Sequence, residues 1–194
     1  MNSLWTETAE LPRFEQLKKD IRTDVLIIGG GMAGILCAYR LKQAGVDCVL
    51  AEASRICSGI TKNTTAKLTL QHGLLYQKLI DRFGTERAKM YLEANQAALA
   101  EYRSICRKID CGFEEKDAFT YSLNDRKKIE KELAALERLG FEAELAESLP
   151  LPFETAGAVR FRNQAQFHPL KFISAIVKGL PIYENTRVQE LTEH

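Results

Sequence analysis

The sequence predicts an α/β fold in which parallel strands are joined by helices. Residues 24–29 form a short β-branched run that ends in glycines, residues 32–44 are rich in helix formers, and residues 47–51 are again apolar. Apolar runs without polar alternation are typical of strands that are covered on both faces. Because parallel strands need a crossover connection, the helix between them predicts a right-handed βαβ unit.

The rest of the chain alternates less regularly. A polar, irregular stretch follows at 55–70. The patterns then predict a helix at 85–109, a strand at 113–123 and an amphipathic helix at 125–139. They further predict a strand at 156–161, a helix opened by proline at 169–178, and one or two strands at 182–191. The stretch between 80 and 165 breaks the strand–helix rhythm, which predicts an inserted subdomain. We therefore expect an N-terminal arm at 1–22, a first domain made of 23–80 and 155–194, and an insertion at 81–154.

The composition is that of a globular protein, with 45% hydrophobic and 27% charged residues. A formal net charge of +1 gives no electrostatic reason to expect binding to nucleic acid or to an anionic membrane. The longest apolar run, 25–38, is interrupted by glycines and is shorter than the roughly 20 residues that span a bilayer. The N-terminal arm lacks the apolar segment of a secretory signal. Five cysteines without metal-ligand spacing predict reduced thiols, a cytoplasmic location and no metal site.

Three glycines, Gly29, Gly31 and Gly34, form the pattern G-x-G-x-x-G. The pattern alone is a weak signal. Here it directly follows a predicted strand and opens a predicted helix, and Glu52 ends the second strand about 20 residues further on. Together these conditions predict a dinucleotide-binding site. The alternative is that the glycines make only a tight turn and that Glu52 is a solvated residue at a strand end.

Each part of the pattern has a mechanical role in binding a dinucleotide. Gly29 allows a tight turn, Gly31 lets a pyrophosphate approach the main chain, and Gly34 lets the helix pack close to the strand. Free N–H groups near Met32 and Ala33, with the positive end of the helix dipole, would hold the phosphates.

The residues at and after the end of the second strand bear on which dinucleotide binds. Glu52 is placed to accept hydrogen bonds from the ribose hydroxyls, and its charge disfavours a 2′-phosphate. An NAD domain normally continues promptly into another helix, whereas residues 53–68, here called the polar loop, are mostly small and polar. Such a loop can lie along the ribityl chain of a flavin, which favours FAD. An NAD-dependent dehydrogenase and a non-catalytic dinucleotide-binding module are the alternatives.

The sequence also resembles a known family. Residues 24–45, DVLIIGGGMAGILCAYRLKQAG, and 46–67, VDCVLAEASRICSGITKNTTAK, are similar to the start of FAD-dependent oxidoreductases of the D-amino-acid oxidase and glycine oxidase superfamily. Residues 63–73 most resemble bacterial members whose longer forms append a Rieske iron–sulfur domain. Residues 167–169 and 184–188 resemble two later landmarks, a helix opened by His-Pro and a strand whose valine main chain meets the adenine.

The resemblance implies a Rossmann-like FAD-binding domain of the glutathione-reductase type, with part of an α+β substrate domain inserted. It implies cofactor contacts from Gly29, Gly31, Met32, Ala33 and Gly34 at the pyrophosphate, Glu52 at the ribose, Ser58, Gly59, Thr61, Thr64 and Thr65 near the pyrophosphate and ribityl chain, and Val188 at the adenine. The chain departs from the family at Thr64, Thr65 and Ala66, where Asn, Ala and Gly are common.

The family's chemistry implies hydride transfer from an amine or another small donor to the flavin. Family members run far beyond 194 residues, so we expect this chain to be an N-terminal portion that is inactive alone and whose catalytic residues lie downstream. Its partner would be a small-molecule substrate. A sheet that stops halfway has an exposed edge, which predicts self-association into a homo-oligomer.

Three other side chains could take part in chemistry. His72 follows the polar loop and is interpreted as a loop histidine bonded to the main chain, with a position near the flavin ring as the alternative. His168 precedes Pro169 and is interpreted as a helix-entry residue rather than a base. Cys57 lies near the glycines, where the helix dipole would lower the pKa of its thiol.

Overall fold

The computed structural model describes residues 3–192. The helices are α1 (Leu4–Thr8), α2 (Met32–Gln43), α3 (Tyr76–Phe83), α4 (Thr85–Cys106), α5 (Arg126–Arg138) and α6 (Pro169–Ile176). The strands are β1 (Val25–Ile28), β2 (Cys48–Ala51), β3 (Lys67–Leu68), β4 (Glu114–Tyr121), β5 (Glu144–Ala146), β6 (Ala158–Gln166) and β7 (Ile182–Tyr183). A single 3₁₀ turn is formed by Ile60–Asn63 among these residues. The mixed α/β composition that the sequence predicts is confirmed.

The described residues divide into two compact units. The first unit comprises 3–66, 109–112 and 168–192, and the second comprises 67–108 and 113–167. The second unit is larger than the insertion predicted at 81–154, because β3 and β6, on either side of that range, pair in one sheet with β4 inside it.

A parallel sheet with the strand order β1-β2-β7 forms the centre of the first unit. β1 pairs with β2 from Val25↔Cys48 to Ile28↔Ala51, and β2 pairs with β7 at Leu50↔Ile182. All four residues of β2 are buried, as the apolar run predicts for a strand covered on both faces. The connection from β1 through α2 to β2 confirms the predicted βαβ unit.

An antiparallel sheet with the order β3-β6-β4 forms the second unit, and β5 also pairs with β6. Two fully buried aromatic side chains, Phe161 and Tyr76, lie in its core. Phe161 stacks on Phe141 with 4.8 Å between ring centroids and on Tyr76 with 6.2 Å. The buried Tyr76 hydroxyl donates a hydrogen bond to the Leu70 carbonyl at 2.6 Å, so its polar end is also satisfied.

A buried carboxylate joins two helices of the second unit. Glu132 on α5 accepts hydrogen bonds from the main-chain N–H groups of Leu75 and Tyr76, both at 2.7 Å, and of Gln77 at 3.0 Å. These are N–H groups at the start of α3, where no turn of helix precedes them to supply an acceptor. Glu132 therefore caps α3 from a neighbouring helix.

The elements differ from the sequence prediction in several places. α1, β3 and β5 form where the sequence predicts no element. α3 lies in a stretch to which no element was assigned, and β6 continues to Gln166 instead of ending at 161. β7 ends at Tyr183, so the predicted strand that would carry Val188 does not form. The reason is that β2, the described partner of β7, ends at Ala51 and leaves the later residues without a neighbouring strand.

β1 lies at one edge of the parallel sheet among the described strands. The side chains of Leu26 and Ile28 are 44% and 55% exposed, so an apolar face accompanies the open edge. The prediction that β1 is covered on both faces, which holds for β2, is therefore wrong for β1 among the described residues. The exposed edge that the sequence predicts is therefore present within residues 3–192. No helix in that range is both long enough and apolar enough to cross a membrane. None of the five cysteines is in a disulfide; Cys37 is exposed and the other four are buried.

Candidate functional site

The three consecutive glycines after β1, residues 29–31, form the glycine turn. Gly29 has a φ of +106° and donates its main-chain N–H to the Ala51 carbonyl at 2.9 Å, so the turn begins while the chain is still bonded to β2. A positive φ of this size is accessible to glycine and strained for other residues. Gly31 is the N-cap of α2, which begins at Met32. The strand–turn–helix arrangement predicted from the pattern is confirmed.

Gly34 lies where α2 crosses the glycine turn. A Cβ atom at this position would overlap the carbonyl oxygen of Gly29 and would lie 3.2 Å from the Gly29 carbonyl carbon. The helix can approach β1 this closely only because residue 34 has no side chain. The predicted role of Gly34 in helix–strand packing is therefore confirmed.

Glu52 follows the last residue of β2 and turns its carboxylate towards the glycine turn. One carboxylate oxygen accepts the Gly30 main-chain N–H at 2.7 Å, and the other accepts the Ser54 N–H at 2.8 Å. Each carboxylate oxygen can accept a second hydrogen bond, so the half-buried side chain keeps acceptor capacity for hydroxyl groups. Glu52 is therefore fixed beside the turn and is not a freely solvated residue.

The Thr61 hydroxyl lies at the Met32 N–H group, where the sequence predicts that a phosphate binds. Its hydroxyl oxygen accepts the Met32 main-chain N–H at 3.2 Å. The prediction that this N–H is free is therefore wrong, because the polar loop folds back and the 3₁₀ turn brings Thr61 over the start of α2. A Cβ built on Gly31 would meet only the Thr61 hydroxyl, at 3.7 Å, so the main chain at Gly31 is open to an approaching group.

The other predicted residues of the polar loop lie in different surroundings. Ser58, Gly59 and Thr65 are exposed. Thr64 is half-buried: its carbonyl accepts the Trp5 indole N–H at 2.8 Å, and its hydroxyl accepts the Ala66 N–H at 3.2 Å. Ala66 has a φ of +58°, a left-handed conformation that explains why glycine is common at this position in the resembling family. The structure thus brings Thr61 to the glycine turn, while Thr64 contacts the arm.

Val188 lies in an irregular segment two residues beyond Thr186. The Thr186 main-chain N–H donates to the Glu52 carbonyl at 2.8 Å, so this segment passes close to the end of β2. Val188 itself is half-buried. The expectation of a strand at this valine is wrong, but the segment runs beside the residue predicted to hold the ribose.

The Cys57 thiol is not activated as a nucleophile, because its pKa is raised. Burial raises the pKa of the Cys57 thiol to about 11, the nearby Glu52 and Glu184 carboxylates act in the same direction, and a hydrogen bond with Thr61 opposes them. The predicted lowering of the Cys57 pKa by the helix dipole is therefore wrong. His72 is exposed in the turn before α3.

His168 is the N-cap of α6, which confirms its interpretation as a helix-entry residue. Its Nδ1 accepts the Lys171 main-chain N–H at 3.2 Å, and its Nε2 lies 2.9 Å from the Thr8 hydroxyl. The Thr8 hydroxyl donates to the Leu4 carbonyl at 2.6 Å, so Nε2 must be the donor in the pair. This arrangement requires a neutral imidazole with its proton on Nε2. Desolvation by burial, and secondarily the Lys171 charge, lower the pKa of His168.

Sequence reasoning missed Glu184, the residue after β7. Its carboxylate is 1% exposed and accepts hydrogen bonds from Ile56, Arg55 and Phe14. No local signal identifies it, because an acidic residue after a strand is usually solvated and its partners lie far away in the sequence.

The glycine turn has the features needed to hold the pyrophosphate of a dinucleotide. The main chain is open at Gly31, the N-terminus of α2 points at the turn, and an acidic residue lies at the end of β2. The positive end of a helix dipole favours phosphate, and the carboxylate favours ribose hydroxyls. The polar loop supplies the Thr61 hydroxyl at the same place.

Comparison with known proteins extends this conclusion. The model of the family described as FAD dependent oxidoreductase matches residues 24–194. The chain is 41% identical over 191 residues to YhfW of Bacillus subtilis (strain 168), named as a Rieske 2Fe-2S iron-sulfur protein, covering 94% of this chain and 38% of that protein. It is 27% identical over 193 residues to gamma-glutamylputrescine oxidoreductase of Escherichia coli (strain K12), covering 92% of this chain and 45% of that protein.

Among solved structures, glycine oxidase from Bacillus cereus ATCC 14579 superposes with a TM-score of 0.61 and 21% identity, covering 89% of this chain and 49% of the other. This likeness shows a shared fold. The chain spans less than half the length of the curated relatives it matches. The family match covers most of the chain and includes the glycine turn, Glu52 and the polar loop. The chain belongs to the family of FAD-dependent oxidoreductases, the group that the sequence resembles.

Proposed function

We propose that the first unit binds the ADP part of FAD, within a longer flavoenzyme that oxidises an amine or amino acid. The observation that carries this proposal is the glycine turn with Glu52 bonded to it, on a chain whose family uses FAD. When bound, the flavin accepts the hydride from the donor. The protein's own part is to bind and orient the cofactor.

The residues divide the binding task between them. The main chain at Gly31 and the start of α2 face the pyrophosphate, and Thr61 either shares the Met32 N–H with a phosphate oxygen or donates its own proton to it. Glu52 accepts the ribose hydroxyls, and the segment with Val188 lies near the adenine. Gly29 and Gly34 support the turn. Ala33, Ser58, Gly59, Thr64 and Thr65 complete the proposed set of cofactor residues.

The proposed substrate class follows from the relatives. Gamma-glutamylputrescine oxidoreductase and glycine oxidase carry the names of an amine and an amino acid.

Two further proposals concern self-association and the cellular location of the protein. The open edge of β1, with the exposed Leu26 and Ile28 beside it, would let two copies associate when nothing else covers it. Five cysteines that form no disulfide support a cytoplasmic location, where disulfides are rare.

The test of cofactor binding is a titration of the purified chain with FAD, ADP and NAD, followed by calorimetry and by flavin fluorescence. The matched variant is Gly31→Ala, because the added methyl group has open space in the free protein and would block a pyrophosphate. We expect FAD to bind more tightly than NAD and the variant to lose at least about 10-fold in FAD affinity, or about 1.4 kcal/mol. Equal FAD affinity in a variant that remains folded would exclude the glycine turn as the pyrophosphate site.

A further inference from the structure

Glu184 joins three segments of the first unit through one buried carboxylate. Its Oε1 accepts the Ile56 main-chain N–H at 2.8 Å. Its Oε2 accepts hydrogen bonds from the Arg55 guanidinium at 2.6 Å and from the Phe14 main-chain N–H at 3.2 Å. The side chain is 1% exposed, so these three donors replace the water that a carboxylate would otherwise bind.

Main-chain hydrogen bonds also connect the residues after β2 to the residues on either side of Glu184. The Glu52 N–H donates to the Tyr183 carbonyl at 2.9 Å, and the Asn185 N–H donates to the Ser54 carbonyl at 2.9 Å. Residues 52–57, here called the support segment, are therefore bound along their length to the chain around Glu184. The Glu184 carboxylate is the side-chain contact that fixes the far end of this segment, at Ile56.

The support segment packs directly on the glycine turn. A Cβ built on Gly30 would lie 2.8 Å from the Ile56 Cγ2 and 3.0 Å from the Glu52 Cβ. The Cys57 main-chain N–H donates to the Gly30 carbonyl at 2.9 Å, while Glu52 accepts the Gly30 N–H. A shift of Ile56 would therefore move both the turn and the carboxylate bonded to it.

We propose that Glu184 is a positioning residue of the dinucleotide site, acting through Ile56 to hold Glu52 and Gly30 in the arrangement that binds ribose and pyrophosphate. The inference rests on the proposed cofactor site and assigns a role to a residue that does not touch the cofactor. A carboxylate suits this role because it only accepts hydrogen bonds and faces three donors. The Arg55 guanidinium compensates its charge.

A neutral amide cannot replace the carboxylate fully. In Glu184→Gln one of the two terminal atoms becomes an NH₂ group, which faces a donor whichever way the amide is turned. If the NH₂ faces Ile56, the hydrogen bond that Glu184 accepts from the Ile56 N–H is lost. If it faces Arg55 and Phe14, it meets their N–H donors and the arm is released. The ion pair with Arg55 is lost in either orientation, because glutamine carries no charge.

The experiment compares Glu184→Gln with the matched control Glu132→Gln. Glu132 is also 1% exposed and also accepts hydrogen bonds from three N–H groups, all of them main-chain, but it lies in the second unit. With ADP as the probe, we expect Glu184→Gln to weaken binding by about 10-fold, and Glu132→Gln to leave the dissociation constant within about 2-fold of the parent chain while losing comparable thermal stability. Equal ADP affinity in both variants overturns the proposal.

A second measurement needs no ligand and separates this inference from the proposed function. Amide hydrogen exchange, resolved by NMR, reports on the Gly30, Ile56 and Cys57 N–H groups, each of which is hydrogen-bonded in the structure. We expect Glu184→Gln to raise the exchange rates of these three amides at least about 10-fold more than it raises those of the β2 amides. We expect Glu132→Gln to leave the ratio between the two sets of rates unchanged. Unchanged relative protection overturns the positioning role even if ADP binds. Failure of the parent chain to bind ADP rejects the proposed function, and exchange still decides the role of Glu184.

Arg55→Met provides a second variant, which leaves the Glu184 carboxylate itself in place. Arg55 is 35% exposed, so its replacement leaves no deeply buried cavity. In this variant the Glu184 carboxylate keeps its hydrogen bond from the Ile56 N–H but loses the compensating charge of Arg55. We expect faster Gly30 and Ile56 exchange than in the parent chain, by about 3-fold, and unchanged exchange there overturns the proposal.

Discussion

The carbonyl oxygen of Gly29 occupies the space that a Cβ atom on Gly34 would need. The contact joins the residue after β1 to the first turn of α2 and sets how closely the helix approaches the sheet. Because the obstacle is a main-chain carbonyl, the helix itself must move if residue 34 acquires a side chain.

Gly34→Ala should therefore lower the free energy of unfolding by more than about 3 kcal/mol, the upper end of typical overpacking costs. The measurement is chemical denaturation followed by circular dichroism. Gly31→Ala is the control, because its methyl group would find its nearest neighbour at 3.7 Å and should cost only about 1 kcal/mol at a helix N-cap. Similar losses in the two variants would contradict the packing role of Gly34.

Glu52 should determine the preference for an unphosphorylated ribose. Its carboxylate lies beside the glycine turn and would repel a 2′-phosphate. We expect the chain to prefer ADP-ribose over 2′-phospho-ADP-ribose by at least about 10-fold at low salt, and Glu52→Gln to remove most of this preference. Calorimetric titration of both ligands measures it. An unchanged ratio in the variant would place the ribose elsewhere.

Protonation of His168 should release the arm from α6 at acidic pH. Because burial holds the folded-state pKa below the ordinary value of 6.5, the unfolded chain binds the proton more readily. The stability from the neutral imidazole is complete above pH 6.5 and is lost as the pH falls from there through the folded-state pKa.

Trp5, the single tryptophan, reports on this change directly. Its ring lies 4.9 Å from the His168 ring, so we expect its fluorescence to change as the pH falls below 6.5. His168→Asn keeps an N-cap acceptor that does not titrate, and its fluorescence should be flat over the same range. A pH dependence that persists in His168→Asn would assign the transition to another group.

Phe161 should contribute more to stability than any exposed aromatic residue on the same sheet. It is fully buried between Phe141 and Tyr76. Phe161→Ala should cost about 3–5 kcal/mol of unfolding free energy, measured by urea denaturation. Phe119→Ala removes the same atoms from an exposed position on β4 and should cost less than about 1 kcal/mol. Comparable losses would argue against the aromatic cluster as the core of the second unit.

Cysteine labelling should distinguish Cys37 from Cys57. Cys37 is exposed on α2, whereas Cys57 is buried and its thiol pKa is raised to about 11. Because the thiolate is the reactive form, we expect iodoacetamide at neutral pH to modify Cys37 at least about 10-fold faster. Peptide mass spectrometry measures both rates. Equal rates would show that the polar loop opens on the timescale of labelling.

The βαβ unit could be predicted because its signals are local. The apolar run before Gly29, the helix formers after Met32 and the acid at Glu52 all lie within one supersecondary unit, where spacing along the chain determines spacing in the structure. His168 was interpreted correctly for the same reason, since a residue before Pro169 and a helical pattern is itself a cap signal.

The surroundings of Glu184, Thr61 and Val188 could not be predicted from local signals. Glu184 is buried only because β7 pairs with β2 and brings it against Ile56, many residues away in the chain. Thr61 takes the Met32 N–H because the polar loop folds back over α2. At Val188 the pattern favours a strand, but the described sheet offers no partner there.

The sequence by itself determined the class of fold, the place of the glycine turn and the kind of ligand that such a turn holds. The tertiary structure decided which main-chain N–H groups are already bonded, which carboxylates are buried and where the strands end. The physical reason is that the conformation of a turn or a helix depends on its own residues, whereas hydrogen-bond partners and burial depend on segments that meet only when the chain is folded.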